Sequence, residues 1–145
     1  MIWCPTKDGD GSARALYLRH YSCREYRDGR KPKLFVGPGE KLVLITPLSD
    51  ALFVWRKFIS DDSQEGINCA VFRNESEYLS SDLIREADII ADERWPGERH
   101  YTYVNPDRIQ SLNPGYCFIK AGWQRCGVTR GGLIILERLV ERKVL

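Results

Sequence analysis

His20 stands in Arg19-His20-Tyr21-Ser22, and an imidazole titrating near neutral pH suits general-base work or metal ligation. The alternative is an exposed loop histidine. Arg73-Asn74-Glu75 directly follows an apolar run, and α/β folds place ligand sites at strand carboxyl ends. An arginine there can clamp a phosphate or carboxylate with two parallel hydrogen bonds, with Glu75 as base or orienter; a salt-bridged strand end is the competing reading. Tyr101 and Tyr103 alternate along one β-rich run, so both project to one face, where they can stack a flat substrate or pack in a core. Asn105-Pro106 follows them; an Asn side chain can read adenine through paired hydrogen bonds, and it can equally build a turn. Ser111, Asn113 and Tyr116 surround Pro114-Gly115, where they can bind substrate, donate a proton or cap a helix. His100 follows a Pro-Gly loop.

These side chains need elements to hold them. Lys41 to Thr46 and Ala51 to Phe58 are β-rich runs separated by Pro47-Leu48-Ser49-Asp50, which predicts adjacent antiparallel strands joined by a turn. Ile67 to Phe72 is dense in apolar and β-branched residues, as a central strand requires. Ser80-Ser81-Asp82 offers N-caps ahead of Leu83, Ile84, Ala87, Ile90 and Ala91 at helical spacing. Tyr101 to Val104 reads as a short strand. Arg108 to Ala121 reads as a helix broken near Asn113-Pro114-Gly115, and Trp123 to Val128 with Leu133 to Leu139 as a terminal hairpin. The segment 1–33 is expected to carry a turn, a short helix or strand over Ala13 to Leu18, and a loop.

A chain of 145 residues with 43% hydrophobic and 29% charged residues is expected to form a single ordered domain. Its formal charge of +2 is too small to argue nucleic-acid binding alone, but Arg14, Arg19, Arg24, Arg27, Arg30, Lys31 and Lys33 crowd the first quarter. Five cysteines without a Cys-x-x-Cys pair or a preceding secretory signal point to reduced thiols in the cytoplasm. No apolar run approaches the ~20 residues of a membrane span, so no membrane partner is expected. His20, Cys23 and a carboxylate could hold zinc or iron, though their spacing matches no established metal pattern.

The order β-β-β-α-β-α-β-β, together with Asn113-Pro114-Gly115-Tyr116-Cys117-Phe118-Ile119-Lys120-Ala121-Gly122-Trp123, resembles the GNAT acyltransferase superfamily over residues 40–139. The resemblance implies an α+β fold with a mixed, mostly antiparallel central sheet and flanking helices. Two departures stand out. Arg73 to Ser81 contains no glycine, whereas the family's acetyl-CoA users hold pyrophosphate there on a glycine-rich loop. Phe118 occupies the register in which the family commonly has a proton-donating Tyr, with Tyr116 two residues earlier.

His20-Tyr21, Arg73-Asn74-Glu75, Tyr103-x-Asn105-Pro106 and Ser111-x-Asn113-Pro114-Gly115-Tyr116 are similar to the pattern of phage Mom-type DNA-modification proteins, GNAT-like transferases that add a carbamoylmethyl group to adenine in DNA. That resemblance implies DNA and a small-molecule group donor as partners. It casts His20, Arg73, Tyr103, Ser111 and Tyr116 as catalytic, and Tyr21, Asn74, Glu75, Tyr101, Asn105 and Asn113 as substrate-binding. The cofactor stays open between acetyl-CoA, another acyl donor and iron. An acyl-CoA-dependent N-acetyltransferase and a non-catalytic binding module are the rival expectations.

Overall fold

The computed structural model describes residues 2–23, 28–60, 62–108 and 113–140. The architecture is mixed α+β: an open seven-stranded, mostly antiparallel sheet with three α-helices among the described residues. In chain order the elements are β1 (Cys4–Thr6), α1 (Gly11–Leu18), β2 (Glu40–Ile45), β3 (Ala51–Lys57), β4 (Ile67–Asn74), α2 (Ser80–Arg94), β5 (His100–Val104), α3 (Tyr116–Lys120), β6 (Gln124–Val128) and β7 (Ile134–Arg138), with a single 3₁₀ turn at Pro106–Arg108. The strands lie in the order β1-β2-β3-β4-β5-β7-β6. Every neighbouring pair is antiparallel except β4 with β5.

Alternation along β3 builds two cores. Ala51, Phe53 and Trp55 face one side, with Leu83, Ile84, Ala87 and Ala91 of α2; Leu52 and Val54 face the other, with Ala13, Leu16 and Tyr17 of α1. All five β3 residues from Ala51 to Trp55 are buried, which explains a run with no polar alternation. Three indoles fasten α2 to the sheet: Trp3 Nε1 donates to Leu83 O at 2.8 Å, Trp55 Nε1 to Ala87 O at 3.0 Å, and Trp123 Nε1 to Asp88 Oδ2 at 2.9 Å. Beneath them Asp88 Oδ1 lies 2.8 Å from Nδ1 of the fully buried His100. His100 Nε2 lies 3.3 Å from Asp92 Oδ1, and Arg138 pairs with Asp92 through two hydrogen bonds of 3.0 and 2.9 Å.

Most expected elements are present, with four differences. The sequence reading missed β1, a three-residue edge strand too short to carry a pattern. Ala13 to Leu18 resolves as helix, capped by Asp10, whose carboxylate accepts from Ala13 N at 3.0 Å. At α2 the N-cap is Leu79, which makes no side-chain cap bond, because the candidate Ser80 is already the first helical residue and takes a hydrogen bond from Asn74 Nδ2. Of the expected helix over Arg108 to Ala121, residues 109–112 lie outside the described residues, which hold the end of the 3₁₀ turn and the five-residue α3. Asn-Pro-Gly ends it from the front: Gly115 has φ 81°, and an added Cβ would meet Leu136 Cδ1 at 2.5 Å.

Candidate active site

β4 and β5 pair over only three residues, Ile67 with His100 through Cys69 with Thr102. Past that point β4 continues to Asn74 beside β3, while Tyr103 and Val104 stay paired with Ile135 and Ile134 of β7. A bulge at the fork accompanies the parting. Val54 pairs with Val71 and Trp55 with Cys69, so Ala70 is the extra residue on β4. It reverses the alternation, sending Cys69 to the α2 side and Val71 to the α1 side.

The gap opens into a cavity of about 600 Å³, a size that suits a small ligand. Its lining comes from both faces of the sheet, with Phe72, Val104 and Phe118 from the α2 side and His20, Tyr21 and Val71 from the α1 side. Strand ends, the His20–Ser22 loop, the Asn105 turn and the front of α3 converge on it.

Six sequence-predicted residues line this cavity: His20, Tyr21, Tyr103, Asn105, Asn113 and Tyr116. The His20 and Tyr21 rings stack with centroids 4.4 Å apart. Ser22 N–H donates to His20 Nδ1 at 3.1 Å. A backbone N–H can only donate, so Nδ1 is an acceptor and the ring proton of neutral His20 sits on Nε2. Burial and the nearby Arg73 charge push the His20 pKa down to about 4, which keeps the ring neutral at pH 7. The Phe72 carbonyl accepts from the ring and offsets part of that drop, so His20 presents a stacking face, with its lone pair already engaged by Ser22. Burial raises the Tyr21 pKa, and the Tyr21 hydroxyl accepts from Asn105 N–H at 3.5 Å.

Asn105 Oδ1 accepts from Asp107 N–H at 3.0 Å, shaping the turn, and Asn113 Oδ1 accepts from Arg125. The Tyr103 hydroxyl sits 2.7 and 2.8 Å from the two Asp62 carboxylate oxygens, and burial together with that carboxylate raises its pKa. Tyr116 is exposed at the front of α3, while Phe118 is buried against Phe72 and Trp123. Among the described residues the Tyr116 hydroxyl has no hydrogen-bond partner. It is the phenol free to exchange a proton with a ligand.

The other predicted residues lie elsewhere. Tyr101 is fully buried, edge-on to Tyr103 at 5.7 Å, with its hydroxyl unpartnered among the described residues. Arg73 donates to Glu75 and, through Nη1, to Arg19 O at 2.8 Å; Arg19 also grips Glu75, at 2.7 and 2.9 Å. These two guanidinium contacts hold the Glu75 pKa down to about 2. Asn74 organises the β4–α2 loop, donating to Tyr78 O and Ser80 Oγ and accepting from Ser76. Ser111 falls outside the described residues.

The sequence reading missed other lining groups: Arg108, Asn68, Thr102 and the thiols of Cys69 and Cys117. Arg108 follows the carboxyl end of β5 as Arg73 follows that of β4, and the same strand-end rule would have found it. Burial raises both thiol pKa values, which disfavours a nucleophilic thiolate.

The β4–α2 loop lacks the glycines of a pyrophosphate cradle. Three of its N–H groups are engaged internally: Glu75 N on Asp50 O at 2.7 Å, Ser76 N on Asn74 Oδ1 at 2.9 Å, and Tyr78 N on Ser76 Oγ at 3.2 Å. Glu77 adds negative charge there, whereas Glu75 is offset by Arg19 and Arg73 and Asp82 by Arg85. Among the described residues, no group of three or more His, Cys, Asp or Glu side chains could hold a metal ion, so His20 and Cys23 do not gather a carboxylate into such a set. No described helix is long and apolar enough to cross a membrane. No family model and no curated protein matches the chain.

Proposed function

We propose that this chain is a GNAT-like transferase that modifies a nucleobase, adenine by preference, in phage or prophage DNA, in the manner of the Mom-type proteins. One observation carries the reading. The parallel pair separates into a cavity with aromatic rings and amide groups around it, walled by residues from both faces of the sheet, with room for two reactants to meet. A base buried in a duplex cannot enter such a slot, so the target nucleotide flips out, at a cost of a few kcal/mol of unstacking.

In this reading the stacked His20 and Tyr21 rings carry the base, and Asn105 and Asn113 address its polar edge. The exocyclic nitrogen forms a bond to the donor's electrophilic carbon and gives up its surplus proton, which restores the Tyr116 phenol once that phenol has protonated the leaving group. The donor's leaving group departs with the electron pair and takes a proton from Tyr116. The Arg19–Glu75–Arg73 cluster carries a net positive charge at the same end of the sheet and attracts the DNA backbone. The glycine-free β4–α2 loop speaks against the rival acyl-CoA reading.

The test is mass spectrometry of nucleosides digested from plasmid DNA of cells producing the protein. A nucleoside heavier than its parent is expected, and Tyr116→Phe should lower its yield by about 100-fold if the phenol is the general acid. Unmodified DNA in several hosts would sink the reading and send the search to acyl-CoA and amine substrates.

A further inference from the structure

The cavity has a charge pattern that its aromatic walls do not explain. Among its described lining residues there is no Asp or Glu, and the His20 imidazole is neutral, so Arg108 is the charged side chain it contains. The arginines around this end of the sheet are otherwise committed. Arg19 and Arg73 share Glu75, and Arg125 donates to Asn113 Oδ1 and to Pro114 O. Among the described residues the Arg108 guanidinium has neither a hydrogen-bond nor an ion-pair partner. Its backbone is nonetheless fixed, since Arg108 N–H donates to Asn105 O at 3.2 Å and Asn105 Oδ1 accepts from Asp107 N–H at 3.0 Å.

A planar fork of donors on a fixed turn, facing a cavity without acids, is a site for an oxyanion. Its place beside stacking rings points to an anion carried on a flat ring. We infer that Arg108 binds the phosphate group of the nucleotide whose base enters the cavity. This rests on the nucleobase reading above and supplies what that reading lacked, a group that fixes the sugar-phosphate while the base is held between the strands. Arg73, the clamp the sequence suggested, is held on Glu75. Among the described residues Arg108 has no such partner.

The probes are deoxyadenosine 5′-monophosphate, deoxyadenosine and acetate, with binding to the full chain followed by calorimetry. The monophosphate is expected to bind at least about tenfold more tightly than the nucleoside, the scale of one charge-assisted contact. Arg108→Gln should abolish that preference while leaving nucleoside affinity unchanged, and Arg108→Lys should restore part of it. Because Arg108 is exposed on a turn, these variants are expected to keep the wild-type melting temperature. A preference that survives Arg108→Gln, or no preference in the wild type, overturns the proposal. So does Arg108-dependent binding of acetate without the monophosphate, which would assign the arginine to a carboxylate donor. The readout is binding, so its failure is separable from a failure to modify DNA: a phosphate preference can stand in a chain that transfers nothing, and modified DNA can appear with Arg108 irrelevant.

Discussion

His20 shows how a residue can be found by its type while its protonation state is set by the fold. Its chemistry drew attention, but its protonation state depends on burial, on the Arg73 charge and on a Ser22 N–H that claims its lone pair, none of which is written in local sequence. Its folded pKa of about 4 lies below the ordinary 6.5. Between those values the unfolded chain binds the extra proton, so stability rises with pH across the window and the contribution is complete above it. Denaturant midpoints measured from pH 4 to 7 should therefore fall more steeply with acid for the wild type than for His20→Gln. Parallel curves would mean that the imidazole is not held neutral in the folded chain. Glu75 has the same sign at lower pH, its stabilising pairs persisting above the ordinary carboxylate range and weakening as pH falls toward about 2.

At the scale of elements, the strands were legible because their apolar runs are long and bounded by turn residues; the ends of β2, β3, β4 and the β6–β7 hairpin fall within two residues of the reading. The segment after β5 was not. Asn113-Pro114-Gly115 was recognised as a break and as the place where a helix starts, but the contact that fixes it could not be seen without Leu136, which lies against Gly115 from β7. Gly115→Ala combines a left-handed backbone with a clash on a fully buried leucine. It should cost about 1–3 kcal/mol, read as a lowered denaturation midpoint. A midpoint equal to that of the wild type would show that the α3 entrance yields freely. The edge strand β6 is exposed along its whole length, and a bulge between Arg125 and Gly127 with an outward arginine blunts it against pairing with other chains.

For the whole molecule, the end of the sheet opposite the cavity is its anchor. Asp88, Asp92, His100 and Arg138 join α2, β5 and β7 through buried and half-buried charges, and Asp88 also receives the Trp123 indole. Removing Asp88 strips two buried donors of their acceptor, so Asp88→Ala should destabilise the protein by about 3–5 kcal/mol, while the exposed Arg85→Ala should stay within about 0.5 kcal/mol. Equal melting temperatures for the two would remove the network from the account of stability. No sequence pattern announces this network, because its members are spread over 51 positions from Asp88 to Arg138. They meet only when the sheet is complete.

The three-residue ladder between β4 and β5 is also a seam in the folding of the chain. On one side lie four strands joined by antiparallel pairing with their neighbours in sequence; on the other lies the sheet of β5, β7 and β6. The seam joins residues 33 apart across α2. The cavity has walls from both sides of that seam, so it comes into existence only once the two parts of the sheet have joined. A small molecule that fits it acts as a clasp, favouring the fully joined chain over any half-assembled form.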